Sequence, residues 1–98
     1  MDDHAVPGAK FDADKPRLGL VLLDFKHALN AVGRIGTFGA AKYSDGGWLY
    51  VENGEERYTS AMLRHLFVDE DYDPESNELH AAHAAWNALA RLELMLRK

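Results

Sequence analysis

Apolar residues recur at helical spacing in three segments of the chain, and this pattern constrains the fold more than any other feature. The first segment runs from about residue 18 to 42, the second from about 55 to 69, and the third to about residue 97. Ser76 is a good N-cap for the third helix. Residues 43–56 carry the turn signals Asp-Gly-Gly and Asn-Gly. The sequence therefore predicts an all-α domain of three helices. It has an irregular lead-in over residues 1–15 and a long loop between helices 1 and 2.

The length of the chain limits its core. Ninety-eight residues make a single domain, 1–98, which buries only about 60–65% of the surface of the unfolded chain. Three helices of this size leave apolar area uncovered, including Leu20, Leu22, Leu23 and Phe25 in the first segment. We therefore expect the protein to be a homo-oligomer.

Charge and composition exclude several classes of partner. The net charge is −5 and the pI is near 5.4, which argues against a nucleic-acid partner because such proteins present a basic face. No apolar run approaches the roughly 20 residues of a membrane span, so we expect no membrane partner. The chain has no cysteine, which fits a reducing cytoplasm, that of a host bacterium if the protein is phage-encoded.

Six acidic residues fall within residues 69–78, here called the acidic segment, with no basic residue among them. His80, His83 and Asn87 follow, and on a helix they lie within roughly 60° of one another. With His65 on the preceding helix, they are candidate catalytic residues. Asp73 and Glu75 are candidate ligands of Mg²⁺ or Mn²⁺. The alternative is a polar helix face with ordinary histidines, preceded by a solvated run of charge.

Basic and aromatic side chains form two further candidate groups. Four residues could bind phosphate oxygens, with Lys10 beside them, or could simply be surface charges: Lys15, Arg17, Lys42 and Arg64. Tyr43 and Trp48, in the glycine-rich loop, could stack on a nucleotide base or could equally cap the small core. Gly33, Gly36 and Gly39 indicate either a frayed helix or close approach of another group.

Several segments, taken in order and spacing, carry a resemblance to a known family. They are KFDADKPRLGL (10–20), TFGAAKYSDGGW (37–48), RHL (64–66) and DPESNELHAAHAAWNALARLE (73–93). Together they resemble the phage-associated family called dATP/dGTP diphosphohydrolase, N-terminal domain, which is thought to be related to all-α MazG-like nucleoside triphosphate pyrophosphohydrolases. The resemblance implies a nucleoside triphosphate ligand and Mg²⁺-dependent release of pyrophosphate. The usual MazG-like metal signature, Glu-Glu-x-x-Glu followed by Glu-x-x-Asp, does not occur.

Three functional hypotheses follow. The first is a phage-type purine (deoxy)nucleoside triphosphate pyrophosphohydrolase that uses Mg²⁺ or Mn²⁺. The second is a non-catalytic oligomer that binds a nucleotide, for instance a sponge for a nucleotide signal made by antiviral defence. The missing carboxylate signature favours it. The third is a structural interaction module in which the histidines have no chemical role.

Overall fold

The computed structural model describes residues 14–98, so Lys10 and most of the expected lead-in lie outside the described residues. Four α-helices follow one another: α1 (Leu18–Asp24), α2 (Lys26–Lys42), α3 (Gly54–Phe67) and α4 (His80–Leu96). A 3₁₀ turn, Gly47–Tyr50, lies between α2 and α3. Extended pairing over residues 14–98 is confined to one isolated bridge between Tyr72 and Leu79. The predicted all-α class is confirmed.

The predicted first helix is two helices, so the expected count of three is not confirmed. Phe25 separates α1 from α2, with φ −112° and ψ 29°, well away from the helical ψ near −42°. The amides of Phe25 and Leu29 still donate to carbonyls four residues back. The apolar spacing continues through this bend, which is why the sequence pattern does not reveal it.

The loop between α2 and α3 follows the turn signals of the sequence. Gly46 has φ 71° and Asn53 has φ 55°, the left-handed region that glycine and asparagine adopt most easily. Trp48 lies in the 3₁₀ turn. A side chain at Gly54 would lie 2.8 Å from the Leu94 side chain. This glycine therefore lets the start of α3 approach the end of α4 closely.

Helix α4 is the centre of the fold, because both α3 and α2 pack against it. Trp86 of α4, Tyr58 of α3 and Trp48 of the 3₁₀ turn form a cluster of edge-to-face and tilted rings. The Tyr58 hydroxyl donates to the Trp48 carbonyl at 2.6 Å. Gly36 brings α2 to this cluster, since a Cβ there would lie 3.5 Å from the Trp86 indole nitrogen. This is an ordinary van der Waals separation, so close approach does not require glycine at position 36, and Gly33 and Gly39 face open space.

The core is thin, and much apolar surface is left uncovered. The buried apolar residues are Ile35, Tyr58 and three alanines of α4. Helix α1 buries none of its residues. The Cα radius of gyration is 17.0 Å, compared with about 13 Å for a compact chain of this length. The helices thus leave an open groove along α4.

Within residues 14–98, every helix is too short or too polar to cross a membrane.

Candidate functional site

Residues 71–79 form a tight hairpin that leads into α4. The Asp73 amide donates to the Glu78 carbonyl, and the His80 amide donates to the Asp71 carbonyl, both at 2.8 Å. Asn77 turns the chain with φ 61°. Helix α4 begins only at His80, after Leu79, so the prediction that Ser76 caps it was wrong. The Ser76 hydroxyl instead accepts the Glu78 amide within the hairpin.

The hairpin distributes the charge of the acidic segment among different partners. The Glu75 carboxylate lies 3.0 Å from Lys42 Nζ, and the Glu78 carboxylate lies 3.0 Å from Arg34 Nε. Both basic residues belong to α2, so the two ion pairs tie the hairpin to that helix. The Asp73 carboxylate points elsewhere, toward histidines of α3 and α4. The segment that the sequence presents as a run of like charge is thus held in a defined shape.

Four side chains from three elements meet beneath the hairpin and form the histidine–aspartate cluster: His65, Asp73, His80 and His83. The Nδ1 atoms of His65 and His80 are 2.8 Å apart. The rings of His65 and His83 stack at 4.5 Å with an interplanar angle of 11°. Asp73 Oδ2 lies 4.0 Å from His65 Nδ1 and 3.8 Å from His83 Nε2. The cluster therefore joins α3, α4 and the hairpin.

Each cluster residue owes its place to a local feature of the chain. His80 and His83 lie one turn apart on α4, and both are buried. Asp73 Oδ1 accepts the Glu75 amide at 2.7 Å, which leaves Oδ2 directed at the histidines. The Ser76 hydroxyl lies 2.6 Å from His83 Nε2 and orients that ring. Asn87 is also buried, and its amide donates to the His83 carbonyl one turn earlier.

Burial controls the protonation of the cluster. It lowers the pKa of His65, and the positive charges of His83 and Arg64 lower it further. Burial also lowers the pKa of His83, against the opposing attraction of Asp73. Burial tends to raise the pKa of Asp73. The Glu75 amide and the His83 charge outweigh it, so the pKa of this carboxyl lies below its usual value. His65 and His83 are therefore neutral near pH 7, beside an ionised Asp73.

The groove along α4 has a volume of about 1880 Å³ and brings most of the predicted site residues together. Its lining contains ten of them: Lys42, Tyr43, Trp48, Arg64, His65, Asp73, Glu75, His80, His83 and Asn87. Lys15 and Arg17, just before α1, are not part of this lining. The structure thus places two of the four predicted phosphate-binding residues with the histidines.

The two predicted base-stacking residues differ in their surroundings. Trp48 packs against Tyr58 and Trp86, and the Arg97 guanidinium lies 5.9 Å from its ring centroid. Its ring is therefore largely engaged within the protein, as the core-capping alternative expects. Tyr43 is 76% exposed, and the Lys42 ammonium group lies 5.4 Å from its ring centroid. Of the pair, Tyr43 has the more accessible ring face.

Sequence reasoning missed some residues of the site. Ser76, interpreted as a helix cap, contacts His83. Phe38 of α2 packs its ring edge-on against His83 at 6.4 Å, and Arg57 of α3 lines the groove. The helical register of α3 gave a usable signal for Arg57, because it lies two turns before Arg64. The contacts of Ser76 and Phe38 depend on the packing of separate elements and leave no local signature.

The donor atoms of the cluster favour an imidazole-binding ion over Mg²⁺. One donor atom each from His65, Asp73 and His80 lies within 4.8 Å of the others. Mg²⁺ prefers oxygen ligands in octahedral geometry. The second acid predicted to bind it, Glu75, is paired with Lys42 instead. As arranged here, the side chains offer a Mg²⁺ ion one carboxylate and two nitrogens, and this set does not fit Mg²⁺.

Fold and groove together define the class of this protein. It is an all-α protein whose open groove combines imidazoles with both acidic and basic side chains. The family described as dATP/dGTP diphosphohydrolase, N-terminal, matches residues 5–98, and the chain belongs to this family. The resemblance noted in the sequence is thereby confirmed. Neither a curated protein nor a solved structure matches the chain.

Proposed function

We propose that this protein hydrolyses a purine (deoxy)nucleoside triphosphate to the monophosphate and pyrophosphate. The family description supplies the substrate class. The observation that carries the proposal is the neutral, buried His83 beside Asp73 in a groove that also holds Lys42 and Arg64. Such a groove places a proton acceptor near basic groups that can neutralise phosphate charge.

His83 is the residue that we assign as general base. Its lowered pKa keeps the imidazole neutral near pH 7, so one ring nitrogen can accept a proton from water. In this step the water oxygen bonds to the α-phosphorus, the bond from that phosphorus to the pyrophosphate oxygen breaks, and the proton passes to His83. Asp73 then stabilises the imidazolium, because its carboxylate lies 3.8 Å from His83 Nε2. His80, the alternative base, lies one turn earlier.

Basic residues at the groove would neutralise the phosphates. Lys42 carries a raised pKa because Glu75 accepts a hydrogen bond from its ammonium group, so it is charged throughout the neutral range. A triphosphate would have to displace Glu75 to reach Lys42. Arg64 is exposed on α3, next to His65, and is the second residue that we assign to the phosphates. Lys15 and Arg17 would contribute only if the segment before α1 approached the groove.

Product analysis tests this proposal directly. Purified protein is incubated with dGTP or dATP without added metal, with Mg²⁺ and with Mn²⁺, and the products are separated by chromatography. We expect monophosphate and pyrophosphate in equal amounts, and we expect His83→Ala to lose this activity while His27→Ala, an exposed histidine of α2, retains it. Recovery of intact triphosphate under every condition would reject hydrolysis. The metal series also tests the predicted Mg²⁺ requirement.

A second candidate function is nucleotide binding without turnover. Two observations favour it. The MazG-like carboxylate signature is missing from the sequence, and Asp73 is the single carboxylate in the metal-type cluster identified within residues 14–98. Calorimetry with linear and cyclic nucleotides in the presence of chelator discriminates the two. Tight binding of a ligand that is recovered unchanged supports a sponge, and failure to bind any nucleotide removes both functions.

We also propose that the protein acts as a homo-oligomer. The apolar residues of α1 are each about half exposed or more: Leu18, Leu20, Val21, Leu22 and Leu23. A seven-residue helix is only marginally stable in water without packing partners. A second copy of the chain would supply such a partner, and it could also complete the open groove.

A further inference from the structure

The histidine–aspartate cluster has a geometry that hydrogen bonds alone do not explain. Asp73 Oδ2 faces His65 Nδ1 at 4.0 Å and His83 Nε2 at 3.8 Å, both beyond hydrogen-bond distance. His80 is 8% exposed, and its Nε2 atom is buried without a hydrogen-bond partner. Leaving such an atom unsatisfied costs free energy. The Nδ1 atoms of His65 and His80 lie at hydrogen-bond distance from each other, whereas His80 Nε2 is left unsatisfied.

Two of the distances in the cluster fall in the range found between ligands of one ion. Nitrogen and oxygen ligands bind Zn²⁺ at about 2.0–2.2 Å, so two of them lie roughly 2.8–4.3 Å apart as their angle widens from 90° to 180°. His65 Nδ1 is 2.8 Å from His80 Nδ1 and 4.0 Å from Asp73 Oδ2. One donor atom from each of the three lies within 4.8 Å of the others.

We propose that His65, His80 and Asp73 form a binding site for a divalent transition-metal ion such as Zn²⁺ or Co²⁺. Two imidazoles and one carboxylate are the donors that such ions prefer, whereas Mg²⁺ prefers oxygen. This site differs from the Asp73–Glu75 pair that the sequence predicts, because Glu75 is paired with Lys42. The inference goes beyond the proposed function, since the ion is bound whether or not a nucleotide is hydrolysed.

The arrangement of the three ligands has a structural consequence. His65 belongs to α3, Asp73 to the hairpin and His80 to the first turn of α4. An ion held by all three links these elements, and because it binds only the folded arrangement it raises the melting temperature. The side chains of His65 and Asp73 are 10% and 16% exposed, so the ion is reached from the groove.

Metal titration of the untagged protein, without any nucleotide, tests this site. The chelator-treated protein is titrated with Co²⁺, whose visible absorption reports nitrogen ligands, and with Zn²⁺ by calorimetry. We expect one ion per chain. We expect binding to weaken by about 10–100-fold or more in His80→Ala and in Asp73→Asn. Asparagine keeps a side-chain oxygen for the Glu75 amide, so the hairpin is preserved in the second variant.

Two control variants separate this site from its alternatives. His27→Ala removes an exposed histidine of α2, and Glu75→Gln removes the acid paired with Lys42. Both should bind Co²⁺ like the wild type, and excess Mg²⁺ should not displace the ion. Equal weakening in His27→Ala would mean adventitious binding. Loss of Co²⁺ binding in Glu75→Gln, with binding retained in His80→Ala, would overturn the assignment and favour a site on Asp73 and Glu75. Because no nucleotide is present, absence of hydrolysis leaves these outcomes unaffected.

Discussion

At the residue scale, the site is built from buried polar side chains that have few possible hydrogen-bond partners. His80, His83 and Asn87 are all at least nine-tenths buried, which is unusual for polar residues unless they are hydrogen-bonded or bind a ligand. Asn87 bonds the backbone of its own helix, and His83 contacts Ser76. His80 retains a buried nitrogen without a partner. The same helix face therefore contains polar groups that are hydrogen-bonded within the protein, on His83 and Asn87, and one that is not, on His80.

We expect His83→Ala to damage turnover far more than folding. Loss of a general base reduces the rate by roughly 10²–10⁴-fold. The folded state loses one hydrogen bond, to Ser76, worth about 0.5–1.5 kcal/mol, and alanine favours the helix. Turnover of dGTP and urea unfolding, measured side by side with His27→Ala as control, separate the two effects. Unaltered turnover in His83→Ala would return this histidine to an ordinary polar helix face.

We expect stability to fall above about pH 10, with Tyr58 as one cause. Burial raises the pKa of this phenol above its usual value, so the unfolded chain ionises first as the pH rises. Stability that depends on the neutral phenol is thus fully present below pH 10 and is lost above it. Tyr58→Phe removes the hydrogen bond to the Trp48 carbonyl, so its free energy of unfolding at pH 7 should be about 0.5–1.5 kcal/mol lower. Above pH 10, the stability of this variant should decline less steeply than that of the wild type. Equally steep declines in both proteins would contradict the assignment.

At the scale of elements, the hairpin over residues 71–79 connects the chemistry to the helices. Its ion pairs reach α2 through Glu75 and Glu78, and Asp73 and Ser76 face α4. The hairpin therefore holds Lys42 and His83 in one groove. Ion pairs as exposed as these contribute little to the free energy of unfolding. Their importance is that they engage Glu75 and Glu78, whereas Asp73 faces the histidines.

We expect Glu75→Gln to strengthen nucleotide binding several-fold. The substitution removes the carboxylate that pairs with Lys42 and lowers the negative charge beside the phosphates, so electrostatic attraction increases. Calorimetry with dGTP measures the effect. Glu78→Gln is the matched control, since it breaks the ion pair with Arg34, which does not line the groove. Weaker binding in Glu75→Gln alone would show that this carboxylate contacts the ligand or its metal.

At the scale of the whole molecule, the core formed by residues 14–98 is thin. Among residues 14–98, every large side chain is at least 2% exposed, whereas a typical core contains several fully buried ones. Exposed leucines occur on α1, α3 and α4. These exposed apolar side chains are the reason for proposing self-association.

We expect a solution mass of at least twice 11.0 kDa by light scattering at micromolar concentration. Leu23 is 75% exposed in α1, so Leu23→Glu would cost a monomer only about 0.5 kcal/mol. In an oligomer that buries α1, the same change places a charge at the interface and lowers the mass toward that of one chain. Leu23→Met preserves the volume of the side chain and should leave the solution mass unchanged. A monomeric mass for the wild type would refute self-association.

The chain's sequence by itself determined the helical class, the turns at Gly46 and Asn53, and the shared face of His80, His83 and Asn87. These features depend on local spacing and on backbone preferences that each residue carries into any fold. It also supplied ten of the residues that line the groove, because histidines, basic residues and acids near one another in sequence remain near one another on adjacent helices.

Only the tertiary structure decided which face of α4 points inward. Leu79, Ala82, Trp86 and Leu89 follow one another at helical spacing. Leu79 and Leu89 are 41% and 49% exposed, whereas Ala82 is buried together with His80, His83 and Asn87. The two faces differ by about 100° on the helix, and α4 carries apolar residues on both. The positions of α2, α3 and the hairpin choose between them, and they likewise send Glu75 to Lys42 and Asp73 to the histidines. Both outcomes depend on contacts between segments that are distant in the sequence. Local spacing of residue types does not encode those contacts.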